Sequence, residues 1–175
     1  MPYWAHDPTN DFYYLGAEEP TSQTYKRWLV DSPPAIFGAD VETISLKERI
    51  AIGIGIAPRP DIAFYFPLFP SNSPVVPWNL LRNPNFTQVY HNGIFDLDCL
   101  SEYNINTKII DTQVMSRLLC NKFNGLTDLS YIHQMETHDS GDMLKEYGVK
   151  SMLDMPQDVV AKKCMLDAMA TLKLF

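Results

Sequence analysis

Ala35-Ile-Phe-Gly-Ala-Asp-Val-Glu-Thr43 is a short apolar run that closes on two acids one residue apart. Ala35 to Val41 is expected to be a strand. The two-residue period of a strand then puts Asp40 and Glu42 on one face. Like charges so close raise the cost of ionising both. A divalent cation removes that cost, and hard cations such as Mg²⁺ take oxygen ligands while keeping several waters, so a few convergent carboxylates suffice. A turn at the strand end would accommodate the same pair without any ion. The choice between the two depends on what the rest of the chain brings.

Downstream, Arg49 to Ala57 alternates Ile50, Ile52, Ile54 and Ile56 with other residues, the pattern of a second strand with its isoleucines on one face. Pro58-Arg-Pro-Asp61 supplies a turn and Ile62 to Phe66 a third strand, which together make a hairpin. Pro67 to Pro77 is proline-rich and reads as a loop. Gln88 to His91 is a fourth strand, Phe95 to Tyr103 a helix, and Thr107 to Ile110 a fifth strand. Asp111-Thr112 caps a helix with Val114, Met115, Leu118 and Leu119 on one side. From Leu126 the pattern is helical, broken near His138-Asp-Ser-Gly141 and at Pro156, with a last helix from Val159 to Phe175. Upstream, residues 1–20 form a turn-rich leader that is partly strand, at Phe12 to Leu15. A helix then runs from Pro20 through Leu29 and stops at Asp31-Ser-Pro-Pro34. Strands that alternate with helices and then give way to helices alone imply an α/β domain over 1–175, a mixed sheet flanked by helices. Carboxylates in such a sheet gather at strand ends.

The chain has 175 residues, 14 basic and 21 acidic side chains, and a net charge of −7. That balance excludes holding nucleic acid by bulk charge alone. It does not exclude meeting phosphates through cations held by carboxylates. Cys99, Cys120 and Cys164 are too scattered for a disulfide framework or a zinc site, and read as buried thiols of a reducing compartment. With no signal peptide and no apolar run long enough for a bilayer, the expected location is cytoplasmic, with no membrane partner.

Two further acidic points follow Asp40 and Glu42. Asp96, in His91-Asn-Gly-Ile-Phe-Asp96, stands where a strand yields to a helix. Asp167 lies inside the last helix among Cys164, Met165, Ala170 and Thr171. Asp96 alone would pass as a helix cap, but an acid inside a core-facing stripe calls for a partner.

In this order, Phe37-Gly-Ala-Asp-Val-Glu-Thr43 with Leu46, His91-Asn-Gly-Ile-Phe-Asp96, Ile110-Asp-Thr112 with Leu118-Leu119, and Cys164-Met-Leu-Asp-Ala-Met-Ala-Thr171 resemble the DEDD group of 3′–5′ exonucleases on the ribonuclease-H-like fold. The nearest likeness is to the proofreading domain of family A DNA polymerases, over roughly residues 24–175. The resemblance implies hydrolysis of phosphodiester bonds at the 3′ end of single-stranded or frayed DNA with two Mg²⁺ or Mn²⁺ ions, by a stand-alone enzyme or one partnered with a polymerase domain or subunit. It makes Asp40, Glu42 and Asp167 ligands of the ion that activates water, with Asp40 bridging to a second ion that Asp96 reaches. It makes Leu46 a wedge against the terminal base, Asn92 a contact near the 3′ end and the Thr43 N–H a partner of the terminal hydroxyl. Phe95 reads as core, Asp111 as a helix cap and Asp98 as a weak rival of Asp96. In one position the chain departs from the family. Its tyrosine branch has a Tyr four residues before the last Asp and its histidine branch a His five before; here these are Lys163 and Lys162. Lys163 is open to three readings: a donor to water or phosphate, a partner for a carboxylate of the site, or a solvated helix lysine. The alternatives to DNA 3′-end hydrolysis are a weakly active nuclease-fold binding module and an enzyme that trims RNA 3′ ends.

Overall fold

A computed structural model describes residues 3–69, 75–120, 122 and 124–175. Seven strands form one sheet: β1 (Tyr3–Asp7), β2 (Phe12–Gly16), β3 (Ile36–Thr43), β4 (Ala51–Arg59), β5 (Ile62–Pro67), β6 (Thr87–Tyr90) and β7 (Lys108–Asp111), in the order β1-β2-β5-β4-β3-β6-β7. The pairs from β1 across to β3 are antiparallel, whereas β3/β6 and β6/β7 are parallel. The sheet is therefore mixed, and β3 is where its sense changes. The helices are α1 (Ser22–Tyr25, continuing as a π-helical segment Lys26–Asp31), α2 (Trp78–Leu81), α3 (Gly93–Cys99), α4 (Thr112–Cys120), α5 (Leu126–Ile132), α6 (Ser140–Tyr147) and α7 (Gln157–Leu174).

Alternation along the strands divides two cores. Phe12, Tyr14, Phe37, Val41, Ile54, Ile56, Phe64 and Phe66 pack on one face with Leu29, Leu80, Leu81 and Leu100. Tyr13, Leu15, Ala57, Ala63 and Tyr65 pack on the other against α7 and the methionines 143, 152 and 155. No helix among the described residues is long and apolar enough to cross a membrane.

The structure corrects the sequence reading in several places. The turn-rich leader contains β1, which pairs with β2 from Tyr3↔Gly16 to Asp7↔Phe12; its polar residues tolerate a sheet edge. β3 runs on to Thr43 because β4 pairs with it there, so Asp40 and Glu42 lie inside the strand, not in a turn. Ile52 leaves the face of Ile54 and Ile56. The β3/β4 register skips it between Glu42↔Gly53 and Thr43↔Ala51, and such a bulge inverts the alternation. α4 buries Thr112 and Ser116, leaving Val114, Leu118 and Leu119 exposed. Cys120 is exposed; Cys99 and Cys164 are buried. Part of the proline-rich loop, 70–74, lies outside the described residues.

Candidate active site

β3 outruns its parallel neighbour. β6 pairs with Ile36–Gly38 only, so beyond Gly38 that edge of β3 loses its ladder partner. In open α/β sheets, ligand crevices form outside the carboxyl ends of the strands. Here Asp96 takes over from the missing strand: its Oδ1 accepts the Val41 N–H at 2.9 Å. α3 can deliver Asp96 because Asn92, with φ of 65°, turns the chain sharply after β6, a conformation Asn tolerates better than most residues. Asp111 holds that turn, accepting from the N–H groups of Asn92 and Gly93 at 3.1 and 2.9 Å. It also caps α4 through Gln113 and Val114.

α7 crosses the opposite face of β3 at close range. A Cβ on Gly38 would lie 2.2 Å from the Ala168 carbonyl oxygen, and one on Gly55 would lie 2.8 Å from that of Cys164. These two glycines let the helix backbone settle on the strands, which brings Lys163 and Asp167 to Asp40 and Glu42. Lys163 Nζ donates to Glu42 Oε1 at 2.5 Å and to Asp167 Oδ2 at 2.7 Å. Glu42, Asp96, Lys163 and Asp167 are all buried, and Asp40 is partly so. The solvated-lysine reading of Lys163 is thereby corrected: α7 is enclosed on nearly all sides from Val160 to Thr171, and the ammonium compensates two buried acids.

Electrostatics follow from this crowding. Burial, then the neighbouring Asp167, pushes the Asp40 carboxyl well above the usual range against the pull of Lys163. Burial likewise raises Glu42 and Asp167, with Lys163 opposing in each case. Asp96 rises to about 8 because burial outweighs its backbone hydrogen bonds. For Lys163, burial pulls downward, but Asp167, Glu42 and Asp40 together win and hold the ammonium charged. Two carboxylate oxygens, Asp40 Oδ2 and Asp167 Oδ1, are closed off from solvent without a hydrogen-bond partner. Orphaned acceptors of this kind are costly. A divalent cation would satisfy them, so the donor set fits such an ion. Ligand atoms of Asp40, Glu42 and Cys164 lie within 4.8 Å of one another. The Cys164 thiol, however, is pushed well up by burial and donates to the Asp40 carbonyl oxygen, so it is a poor ligand for a hard cation.

Asp40, Glu42, Asp96 and Lys163 line a cleft of about 460 Å³. Thr43, Leu46, Lys47, Phe95 and His91 also line it, with Ser140, Gly141 and Leu144 on the far side. Leu46, at the tip of the β3–β4 loop, is 82% exposed. Asn92 is exposed next to the cleft, and Phe95 is half-buried against the core. Asp167 sits behind the lining, reaching the cleft through Lys163. Asp98 is exposed and pairs with Arg49 at 2.6 Å, outside the cluster. A larger groove of about 600 Å³, lined by Tyr25, Trp78 and Phe86 among others, contains none of these acids.

Sequence reasoning passed over His91. Its Nε2 lies 3.0 Å from the Asn124 carbonyl oxygen, which accepts, and its Nδ1 lies 2.9 Å from Thr112 Oγ1. Burial lowers its pKa and keeps the ring neutral. Its position in His91-Asn92-Gly93 was the available signal; its partners Thr112 and Asn124, distant in sequence, gave none.

No family model matches the chain, and no curated protein matches it. Solved structures do. Brucella melitensis NrnC matches with a TM-score of 0.62 at 16% identity, over 83% of this chain and 72% of that one. The same protein also matches bound to pGG and with bound Mg²⁺, at 15% and 16% identity. A structure described as the apo form of the nuclease matches with a TM-score of 0.63 at 13% identity, over 89% of this chain and 74% of that one. At such identities the likeness carries the fold, which is α/β and ribonuclease-H-like.

Proposed function

We propose that this chain is a divalent-cation-dependent nuclease that shortens oligonucleotides, RNA in particular, from the 3′ end. One observation carries the reading: buried carboxylates from β3, α3 and α7 converge at a cleft, with two of their oxygens unpartnered. The structural neighbours add support, since NrnC is known with bound Mg²⁺ and bound to pGG. Of the readings open at the start, RNA or short-oligonucleotide trimming draws more from these neighbours than DNA proofreading does. The link to a polymerase partner rests on the motif resemblance alone.

Asp40 and Asp96 are the residues to hold the cation, Mg²⁺ or Mn²⁺, while Glu42 and Asp167 beside them accept from the Lys163 ammonium. When bound, such an ion offsets phosphate charge and lowers the pKa of an attacking water. The Val41 N–H fixes the orientation of Asp96 on the free edge of β3, which supports this role. In this reading Leu46 packs against a terminal base, and Thr43 and Asn92 contact the sugar and its 3′-hydroxyl, as the motif resemblance implies. Apolar and backbone contacts of this kind hold single strands without reading sequence.

A second reading, a nuclease-fold module with little activity, has one observation in its favour: the Lys163 ammonium already occupies Glu42 and Asp167. Short oligoribonucleotides and oligodeoxyribonucleotides labelled at the 5′ end, incubated with Mn²⁺, separate the readings. The proposal expects a ladder shortening from the 3′ end, faster on RNA. Intact label on both substrates, with Mn²⁺ bound, selects the inactive module.

A further inference from the structure

We infer that this chain holds a single divalent cation, between Asp40 and Asp96, and that the Lys163 ammonium fills the second cation position its four carboxylates would otherwise offer. The inference rests on the metal-dependent reading above and narrows it from the two ions implied by the motif resemblance to one.

Lys163 Nζ bridges Glu42 Oε1 and Asp167 Oδ2 at 2.5 and 2.7 Å, which is where a cation shared by those two acids would have to sit. The ammonium is tethered, so it competes as an intramolecular ligand, at an effective concentration that a free ion in solution does not reach. It has few places to go. Withdrawing it would strand Glu42 and Asp167 as buried charges and require the ammonium to find another partner, and breaking such a pair from one side is strongly unfavourable.

Charge counting gives the same answer. In the metal-bound state, where ligand acids give up their protons, four carboxylates and one ammonium sum to three negative charges. One divalent ion leaves one negative charge, whereas a second would make the buried cluster positive and set two cations against the ammonium. The remaining position is defined by what Lys163 does not touch. Asp40 and Asp96 line the cleft and neither is among its hydrogen-bond partners. Asp40 Oδ2 is an unpartnered buried oxygen, and Asp96 is oriented by Val41 N–H on the free edge of β3.

The test is a Mn²⁺ titration of the whole chain without nucleic acid, read by electron paramagnetic resonance as ions bound per chain. Wild type is expected to bind one ion and Lys163→Met two. Glu42→Gln is expected to keep the single ion, and Asp96→Asn to weaken it by at least 100-fold. Two ions on wild type, or one on folded Lys163→Met, overturns the inference and leaves the nuclease reading standing. No Mn²⁺ on wild type overturns both. Should Lys163→Met not fold, the other pair decides: equal loss in Glu42→Gln and Asp96→Asn overturns the assignment, and loss in Asp96→Asn alone supports it.

Discussion

Asp96 and Lys163 show how far a single residue can be read from its neighbours in sequence. The strand-to-helix junction at His91–Asp96 exposed Asp96 as a candidate, because an acid at that place is either a cap or a ligand. What sequence could not supply was its partner, the Val41 N–H, which exists only because β6 stops short of it. Lys163 was harder still: its spacing from Asp167 was visible, but its burial depends on α7 lying across β3 and β4. The raised acids have a measurable consequence. A carboxyl whose folded pKa is raised binds a proton that the unfolded chain has already released. Stability is therefore lost as pH rises between the ordinary carboxylate value and the raised one. Asp96, at about 8, places part of that loss above pH 7, where the lowered His91 is neutral in both states. In EDTA the melting temperature should fall from pH 7 to pH 8.5, and Asp96→Asn should flatten the fall. A flat wild-type profile would remove this account of the cluster. At Lys163, a neutral hydroxyl can donate to water or phosphate without repelling cations. Lys163→Tyr should then lower the Mn²⁺ concentration needed for cleavage and raise the rate about 10-fold, equivalent to ~1.4 kcal/mol of barrier. Slower cleavage by this variant, with Lys163→Ala slower again, would make the lysine a working part of the site.

Among the elements, α7 and β3 depend most on each other. The alternation within Ala35–Thr43 separated Phe37 and Val41 from Asp40 and Glu42 correctly, since one pair enters the apolar core and the other faces α7. The contact at Gly38 and Gly55 was not visible, because glycine in a strand signals close approach without saying of what. Gly38→Ala puts a methyl 2.2 Å from the Ala168 carbonyl oxygen, inside a packed interface. It should cost roughly 1–3 kcal/mol of stability, as overpacking does, by pushing α7 away from β3. Unchanged melting would mean that α7 has room the packing does not show. α4 teaches the converse. Its apolar stripe invited an inward orientation, yet hydrogen bonds from Thr112 Oγ1 to the Tyr90 carbonyl and from Asn124 Nδ2 to Ser116 Oγ fix the polar side inward. Leu118, 80% exposed, should accept Leu118→Lys within about 0.5 kcal/mol in the isolated chain. A larger loss in a thermal melt would show that the stripe is covered.

Across the whole molecule, the strand and helix pattern made an α/β sheet legible, and the ordered acids are the ones that converge at the end of β3. The strand order β1-β2-β5-β4-β3-β6-β7 was not legible, since local patterns do not say which strands become neighbours. Phe12 to Leu15 read as a strand, but its place beside β5 and the pairing of β1 with it were not legible, because those pairings are long-range. With a net charge of −7, the chain attracts few phosphates by its general field, so binding should depend on the cation and the cleft. The most direct measurement is cleavage of a 5′-labelled oligoribonucleotide by wild type, Asp40→Ala and Asp96→Asn, each with Mn²⁺ and with EDTA. The account expects 3′-end shortening by wild type in Mn²⁺ alone, with both variants at least 100-fold slower. Cleavage that persists in EDTA, or at wild-type rate in Asp40→Ala, would contradict it.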